Sequence, residues 1–180
     1  MPDLFFYQKE KSDFITKPLD KNIKYKVIKK FNKLDNEWIA NCHEKYDFYI
    51  QKDYKFLNWR FSNHPLNNYK CIILDKGRGY VILKPFFEKN NTKLHMVDYA
   101  YLETPDLVKL LKIVDNYAYD IKANFINFWG FNSNLESKIF KSLNYNLTPS
   151  YNRLILHSDI KFSHNEVCNW HIVLGDNDVY

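Results

Sequence analysis

The spacing of apolar and polar residues predicts the elements of the first third of the chain. Residues 24–31 alternate between apolar and polar side chains over most of their length, which is typical of a strand. Asp35 can cap the helix that follows, and Asp53 can cap a second, shorter helix. This second helix must end before Pro65, because the residue that precedes a proline disfavours helical geometry.

Three further strands are predicted by short apolar runs in the middle of the chain. Residues 71–74 and 80–83 are joined by residues 75–79, which hold two of the chain's four glycines and therefore predict a hairpin. The third strand spans residues 94–101.

Two helices enclose another strand in the next part of the sequence. Thr104 is the expected cap of a long helix with Pro105 at its first position, and apolar residues recur at helical spacing after it. A nearly continuous apolar run predicts a strand over residues 125–129 that ends at Gly130. Residues 133–136, Ser-Asn-Leu-Glu, form a capping box for the second helix.

The last two strands are predicted at residues 153–157 and 167–174. The resulting order, β-α-α-β-β-β-α-β-α-β-β, is typical of a mixed α/β domain. We expect a central mixed sheet with helices on both faces. The sequence predicts a single domain over residues 24–180, preceded by an N-terminal extension of residues 1–23.

The composition supports one packed domain and argues against several other classes. Of the 180 residues, 46% are hydrophobic and 18% aromatic, which argues against intrinsic disorder. No apolar run approaches the roughly 20 residues of a membrane helix, and no secretory signal is visible, so we expect a cytoplasmic protein. Cys42, Cys71 and Cys168 show no C-x-x-C spacing and suit reduced thiols.

Charge is distributed unevenly along the chain. The formal net charge is +5, and the excess of lysine and arginine lies in residues 1–90. Such an asymmetry is found in proteins that bind nucleic acid, so an RNA-binding sheet is one hypothesis. A chain-wide bias toward lysine and the interspersed acids explain the same pattern without a nucleic-acid partner, and no RNA-binding motif string is present.

Two stretches of the sequence resemble the GNAT acetyltransferase superfamily. Residues 53–65 read DYKFLNWRFSNHP, with Tyr69 shortly after them, and residues 170–178 read WHIVLGDND. They are similar to the YLxWRY..HP...Y and terminal W....GDxD patterns of a GNAT-like subgroup often found in bacterial surface-polysaccharide biosynthesis and in tandem GNAT-like domains. Together with the order of elements, the resemblance covers residues 24–180 and implies the GNAT fold.

The resemblance implies acetyl-CoA as the acyl donor. The resemblance places acetyl-CoA where the strand over residues 94–101 splays from the strand over residues 125–129. The pyrophosphate would lie at the N-terminus of the helix that starts at Pro105, which is a natural anion site. By the same resemblance, Tyr99, Tyr101 and Thr104 are the donor-binding residues.

The donor loop departs from the superfamily's R/Q-x-x-G-x-G/A pattern. Residues 102–106 read LETPD and contain no glycine. Pro105 lacks an N–H donor, and the carboxylates of Glu103 and Asp106 would repel a pyrophosphate. The departure favours the alternative of a domain that has lost donor binding.

The resemblance also implies catalytic and acceptor-binding residues. Asp98 lies where superfamily members carry a general base, and Tyr145 where they carry a general acid. The competing interpretation of Asp98 is a structural carboxylate held by backbone groups or by Arg60. Trp59, Arg60 and His64 are the candidate acceptor-binding residues, with stacking by the indole and charge-assisted hydrogen bonds from the guanidinium. A structural role for the tryptophan and the arginine is the alternative.

We expect no metal site. Two carboxylates after a glycine, Asp176 and Asp178, are more typical of a turn than of a cation site. Cys168 and His171 would point to opposite faces of a strand over residues 167–174.

The sequence therefore predicts an acyltransferase that moves an acetyl group from acetyl-CoA to an amino or hydroxyl group of a sugar or another small acceptor. The alternative is a non-catalytic GNAT-like domain that binds an acceptor or a partner. A second copy of the chain or a companion GNAT-like domain is the protein partner we consider.

Overall fold

A seven-stranded mixed sheet forms the centre of the fold. The structure is a computed structural model that describes residues 4–14, 19–66, 68–89, 91–131, 135–148 and 169–177. The sheet strands are β1 (Leu4–Glu10), β2 (Tyr25–Ile28), β4 (Lys70–Leu74), β5 (Gly79–Glu88), β6 (Asn91–Tyr101), β7 (Phe125–Phe131) and β8 (Asn146–Thr148). Their spatial order is β2-β4-β5-β6-β7-β1-β8. Two short strands, β3 (Phe48–Tyr49) and β9 (Trp170–His171), pair in parallel as a separate ribbon.

Helices cover both faces of the sheet, as the sequence predicts. They are α1 (Asn36–His43), α2 (Tyr54–Leu57), α3 (Thr104–Asp120) and α4 (Leu135–Ser142). Trp38 of α1 packs against Tyr80 of β5 with ring centroids 6.1 Å apart. Leu110 of α3 lies beside Gly79, the residue before Tyr80 in β5. Because consecutive residues of a strand face opposite sides of the sheet, α3 lies on the face opposite to α1. The mixed α/β class is therefore confirmed.

The hairpin predicted from residues 75–79 is present. β4 and β5 pair in an antiparallel register that ends at Leu74 and Gly79. Gly77 has a φ of +73°, a left-handed conformation that glycine adopts at little cost. Trp38 also packs so closely on Gly77 that a Cβ there would lie 2.6 Å from its ring. The turn glycine thus serves both the chain reversal and the packing of α1.

The sheet opens between β6 and β7. These strands pair in parallel only at three positions, the last of which joins His95 to Asn127. The register of β5 and β6 shifts at Ile82 and Leu83, which pair with Asp98 and Met96, so Val97 is an extra residue. Such a bulge bends a strand and increases its twist. Beyond it β6 continues without β7, and a gap separates the two strands.

Two details of the sequence prediction are corrected by the structure. Thr104 is the first residue of α3, and its N-cap is Glu103, whose backbone is extended and whose N–H is bonded by the Asp106 side chain. Gly130 does not end β7, because Phe131 still pairs with Leu4 of β1. The glycine is needed for packing, since a Cβ would lie 2.8 Å from the Tyr7 ring.

The two chain ends also differ from the sequence prediction. We set residues 1–23 apart as an extension, whereas β1 lies inside the sheet between β7 and β8. Of the strand expected over residues 167–174, the described part, residues 169–174, keeps only the two residues of β9, and a 3-10 turn follows over Leu174–Asp176. The expected strand over residues 153–157 lies outside the described residues.

Candidate functional site

A buried ion network lies at the bulge of β6. The Lys52 ammonium is 2.8 Å from Asp98 Oδ2 and 2.9 Å from Asp176 Oδ1, and all three side chains are at most 2% exposed. The Tyr80 hydroxyl donates to the other Asp98 oxygen at 3.1 Å. One lysine therefore serves two carboxylates in a site without access to water, so Asp98 is held by Lys52 and Tyr80 rather than by Arg60.

The network retains one more carboxylate than ammonium group, and this imbalance affects its protonation. Burial, together with the nearby Asp176 charge, raises the pKa of Asp98 to about 6 against the lowering effect of Lys52. Burial alone would lower the pKa of Lys52, but the two carboxylates outweigh burial and raise it. A carboxyl group with such a pKa can accept or release a proton near neutral pH.

Side chains from α4, β6, β9 and the loop between α1 and β3 meet in the gap between β6 and β7. Glu136 of α4 accepts hydrogen bonds from the hydroxyl groups of Tyr46 and, at 3.0 Å, Tyr99. The His171 ring stacks on Tyr46 at 4.4 Å and packs edge-on against Tyr99 at 5.0 Å. Burial raises the pKa of Glu136 and lowers that of His171 well below its ordinary value. Aromatic and polar side chains thus fill the part of the gap that the structure describes.

Two of the three residues expected to bind the donor belong to this filled gap. Tyr99 is 2% exposed and Tyr101 is 4% exposed. The Lys45 ammonium lies 3.5 Å above the Tyr101 ring centroid and donates to that residue's carbonyl oxygen. The third residue, Thr104, is exposed at the start of α3.

Arg60 fastens the C-terminal turn to the segment after α2. Its Nε donates to the Gly175 carbonyl oxygen at 3.0 Å, and its Nη2 donates to the Asn177 carbonyl oxygen. A Cβ on Gly175 would lie 2.6 Å from Phe61 Cζ and 2.9 Å from the Val97 carbonyl oxygen. Only a glycine therefore allows the turn to approach the bulge of β6 this closely.

Trp59 and His64 lie on the outer side of the same segment. Trp59 is 68% exposed and contacts Phe56, with ring centroids 5.9 Å apart. His64 packs edge-on against Tyr69 at 5.8 Å, and its Nδ1 accepts the Leu66 N–H. The three residues expected to bind an acceptor are therefore close in sequence, but Arg60 is engaged by the C-terminal turn and Trp59 faces solvent.

Tyr145 belongs to another cluster. Its hydroxyl donates to Asp115 Oδ1 at 2.9 Å, and the Lys9 ammonium lies 2.7 Å from the other oxygen of Asp115. Tyr145 is fully buried, and burial raises its pKa well above the ordinary value. Among the described residues, Tyr145 and Asp98 share no hydrogen-bond partner, so the structure does not join the expected acid and base in one network.

The N-terminus of α3 is surrounded by the protein's own charged groups. Asp106 accepts the Glu103 N–H at 3.3 Å, while the N–H groups of Asp106 and Leu107 both donate to the Glu103 carbonyl oxygen. Arg78 forms ion pairs with Asp106 at 2.8 Å and Glu103 at 2.9 Å, and Lys109 pairs with Asp106. Burial would raise the pKa of Asp106, but the hydrogen bonds from these two cations outweigh burial and lower it. Carboxylates thus occupy the place where the resemblance implies a pyrophosphate.

Sequence reasoning missed two residues that organise these clusters. Lys52 precedes the Asp53 cap and looks like one of many exposed lysines, yet it is the cation of the ion network. Glu136 is a member of the capping box predicted for α4, whose Ser133 lies outside the described residues, and its carboxylate reaches the tyrosines of the gap. No group of residues suited to hold a metal ion occurs in the described part of the chain. Within that part, no helix has the length and apolarity needed to span a membrane.

Comparison with solved structures identifies the fold. The chain is similar to a GCN5-related N-acetyltransferase from Anabaena variabilis, with a TM-score of 0.63 at 9% identity over 81% of this chain and 38% of that one. It is also similar to N-myristoyltransferase from Saccharomyces cerevisiae, solved with bound myristoyl-CoA and inhibitors, with a TM-score of 0.54 at 8% identity over 81% of this chain and 46% of that one. These likenesses show that the chain has the GNAT fold.

A third similar structure is a conserved protein of unknown function from Staphylococcus epidermidis, with a TM-score of 0.50 at 10% identity over 81% of this chain and 57% of that one. The chain thus spans less than two thirds of the length of each of these proteins. No protein-family model matches the chain, and no curated protein sequence does.

Proposed function

We propose that this chain is a GNAT-type domain of an acyltransferase, and that it binds the acceptor or a companion domain rather than the acyl-CoA donor. The acceptor class is a sugar or another small molecule whose amino or hydroxyl group receives the acyl group. The observation that carries this proposal is the charge at the N-terminus of α3, where Glu103 and Asp106 already use the backbone donors and the neighbouring cations.

The charges at the N-terminus of α3 support the proposal that the domain binds no acyl-CoA donor. A pyrophosphate needs free N–H groups and a positive field. Here Pro105 has no N–H, and the N–H groups of Glu103, Asp106 and Leu107 already have partners within the protein. A donor would have to displace the Arg78 ion pairs and approach two carboxylates. The filled gap between β6 and β7 supports the same conclusion, because the acyl arm would have to displace buried tyrosines.

The exposed residues that follow α2 support the proposal that the domain binds an acceptor or a partner. Trp59 and Leu66, which both follow α2 in the chain, are 68% and 88% exposed and present apolar area to solvent. Exposed tryptophan is a common element of sugar-binding and protein-binding surfaces, because its ring offers both area and a hydrogen-bond donor.

A second candidate function, catalysis by this domain itself, is favoured by one observation. Asp98 lies at the bulge of β6 beside the gap, and its raised pKa of about 6 suits a general base. For this function the side chains in the gap must move to admit acyl-CoA and to expose Asp98.

Thermal unfolding with and without millimolar acetyl-CoA separates the two functions. A donor present at a hundredfold excess over its dissociation constant would stabilise the folded chain by about 2.7 kcal/mol. We expect no shift in the unfolding temperature beyond the one that adenosine diphosphate produces. A reproducible, saturable rise with acetyl-CoA that neither acetate nor adenosine diphosphate produces would contradict the proposal and support catalysis at Asp98.

A further inference from the structure

A groove of about 510 Å³ opens beside the edge of the sheet formed by β2 and β4. One wall is built by the Asn58–Ser62 turn that follows α2, and another by Tyr117 of α3. Pockets that hold small ligands commonly measure about 300–1,000 Å³. The groove is therefore large enough for a compound of one or two rings.

The groove is basic. Lys29, Lys30 and Lys70 line it, and the described residues of its lining include no aspartate or glutamate. In the part of the chain that the structure describes, none of the three lysines forms an ion pair with a carboxylate. Three ammonium groups without a counter-charge around one concave surface attract an anion, and phosphate oxygens accept up to three hydrogen bonds from each ammonium group.

Aromatic rings and a hydroxyl group complete the lining. Tyr69 and Tyr117 are both partly buried, and the Lys70 ammonium lies 3.8 Å above the Tyr117 ring centroid. The Ser62 hydroxyl oxygen is buried without a well-formed hydrogen bond among the described residues, and the thiol of Cys71 nearby is only a weak partner. Two aromatic rings and a hydroxyl group thus line the groove together with the cations.

We propose that this groove binds a phosphorylated ring compound, a sugar phosphate or a nucleoside phosphate, as the acceptor of the domain. The lysines bind the phosphate, and the tyrosine rings pack against the sugar or base. The inference rests on the acceptor-binding function proposed above and adds to it the chemical class of the acceptor. It differs from the nucleic-acid hypothesis because a groove of this size accepts a single unit rather than a polymer.

Calorimetric titration of the full chain tests the groove with four probes: glucose 1-phosphate, uridine diphosphate, glucose and inorganic phosphate. We expect saturable binding of at least one ring phosphate, with weaker binding of inorganic phosphate and none of glucose. Whichever of glucose 1-phosphate and uridine diphosphate binds more tightly identifies the acceptor as a sugar phosphate or as a nucleoside phosphate. Binding of glucose as tight as that of the ring phosphates, or no binding of either ring phosphate at millimolar concentration, would overturn the proposal.

Charge-reversal variants show where the ligand binds. The double variant Lys29→Glu/Lys30→Glu should weaken ring-phosphate binding by about tenfold or more, because it removes two charge-assisted contacts. The control Lys21→Glu/Lys138→Glu changes the net charge equally at exposed positions outside the groove and should leave the affinity within about twofold. An equal loss in both variants would attribute binding to the general field of the protein and overturn the assigned site.

The variant Tyr117→Leu distinguishes the contribution of the ring contact to the affinity from that of the phosphate contact. It should weaken binding of the ring phosphate while leaving that of inorganic phosphate unchanged. If an oligonucleotide binds more tightly than either ring phosphate and its affinity falls steeply with salt, the result would overturn the proposal and support a nucleic-acid surface. These readouts do not involve acetyl-CoA, so a failure here is distinguishable from a failure of the proposed function.

Discussion

Arg60 donates from Nε to the carbonyl oxygen of Gly175 at 3.0 Å and thereby joins the two stretches of sequence that resemble the GNAT superfamily. Residues 115 positions apart in the chain form one structural unit. Gly175 fits against Phe61 and the bulge of β6, and the next residue, Asp176, reaches Lys52. The two motifs therefore have a shared structural role, which is to hold the C-terminal turn on the sheet.

The first prediction concerns this turn. Gly175→Ala should lower the free energy of unfolding by about 1–3 kcal/mol, because the added Cβ would overlap the Phe61 ring and the Val97 carbonyl oxygen. Urea unfolding measures the change. Arg60→Ala should disturb the same turn, so the double variant should lose less than the sum of the single losses. Additive losses would mean that the two residues do not act on one element.

A second prediction concerns Lys52. Lys52→Met leaves Asp98 and Asp176 buried without their cation, and we expect a loss of about 3–5 kcal/mol of unfolding free energy. Lys55→Met, at an exposed position on α2, should change it by less than about 0.5 kcal/mol. Adding Asp98→Asn to Lys52→Met should restore part of the loss. Similar stabilities of the Lys52 and Lys55 variants would contradict the buried network.

The pH dependence of stability should carry a contribution from Asp98. Its pKa is raised to about 6 in the folded protein, so the folded state binds more protons than the unfolded state between the two pKa values. The favourable contribution is complete below the unfolded pKa and is lost as the pH rises through the folded value, toward about pH 7.

Unfolding experiments between about pH 4 and pH 7 isolate this contribution by comparing the wild type with Asp98→Asn. Histidines act in the opposite direction, since burial lowers the pKa of His43 to about 4 and makes stability rise with pH. The wild type should therefore lose stability relative to Asp98→Asn as the pH increases. Parallel curves would mean that Asp98 has an ordinary pKa.

A fourth prediction concerns the thiol groups. Burial raises the pKa of Cys42 to about 12 and that of Cys71 to about 11, so neither thiolate forms readily in the folded protein. In a Cys168→Ser chain, a thiol reagent should label neither cysteine under native conditions and both in denaturant. Rapid labelling of the native chain would contradict the burial of these residues.

Much of the fold could be predicted from the sequence because local signals were strong. The glycine-containing turn predicted the β4–β5 hairpin, and the expected cap at Asp53 is confirmed by its bond to the Phe56 N–H at 2.7 Å. The place of β1 could not be predicted, since its partners β7 and β8 lie more than a hundred residues away in sequence. Pairing over such distances has no local signature in a single sequence.

The site was less predictable because its charges are paired through tertiary contacts. Nothing near Lys52 in the sequence distinguishes it from the exposed lysines. The acids of the donor loop did signal a departure from the superfamily, but their partner Arg78 lies in the β4–β5 turn and became evident only from the fold. Asp98 was identified as a candidate base, and its catalytic role stays a prediction.

The most direct test of the central claim is an NMR titration of the backbone amides at the start of α3 with CoA. We predict that the amide signals of Thr104, Asp106 and Leu107 do not change up to millimolar CoA, because Glu103 and Asp106 already occupy this helix end. Saturable shifts of these amides, at a concentration that leaves the amides of the Lys11–Asp13 turn unaffected, would contradict the account and assign donor binding to this domain.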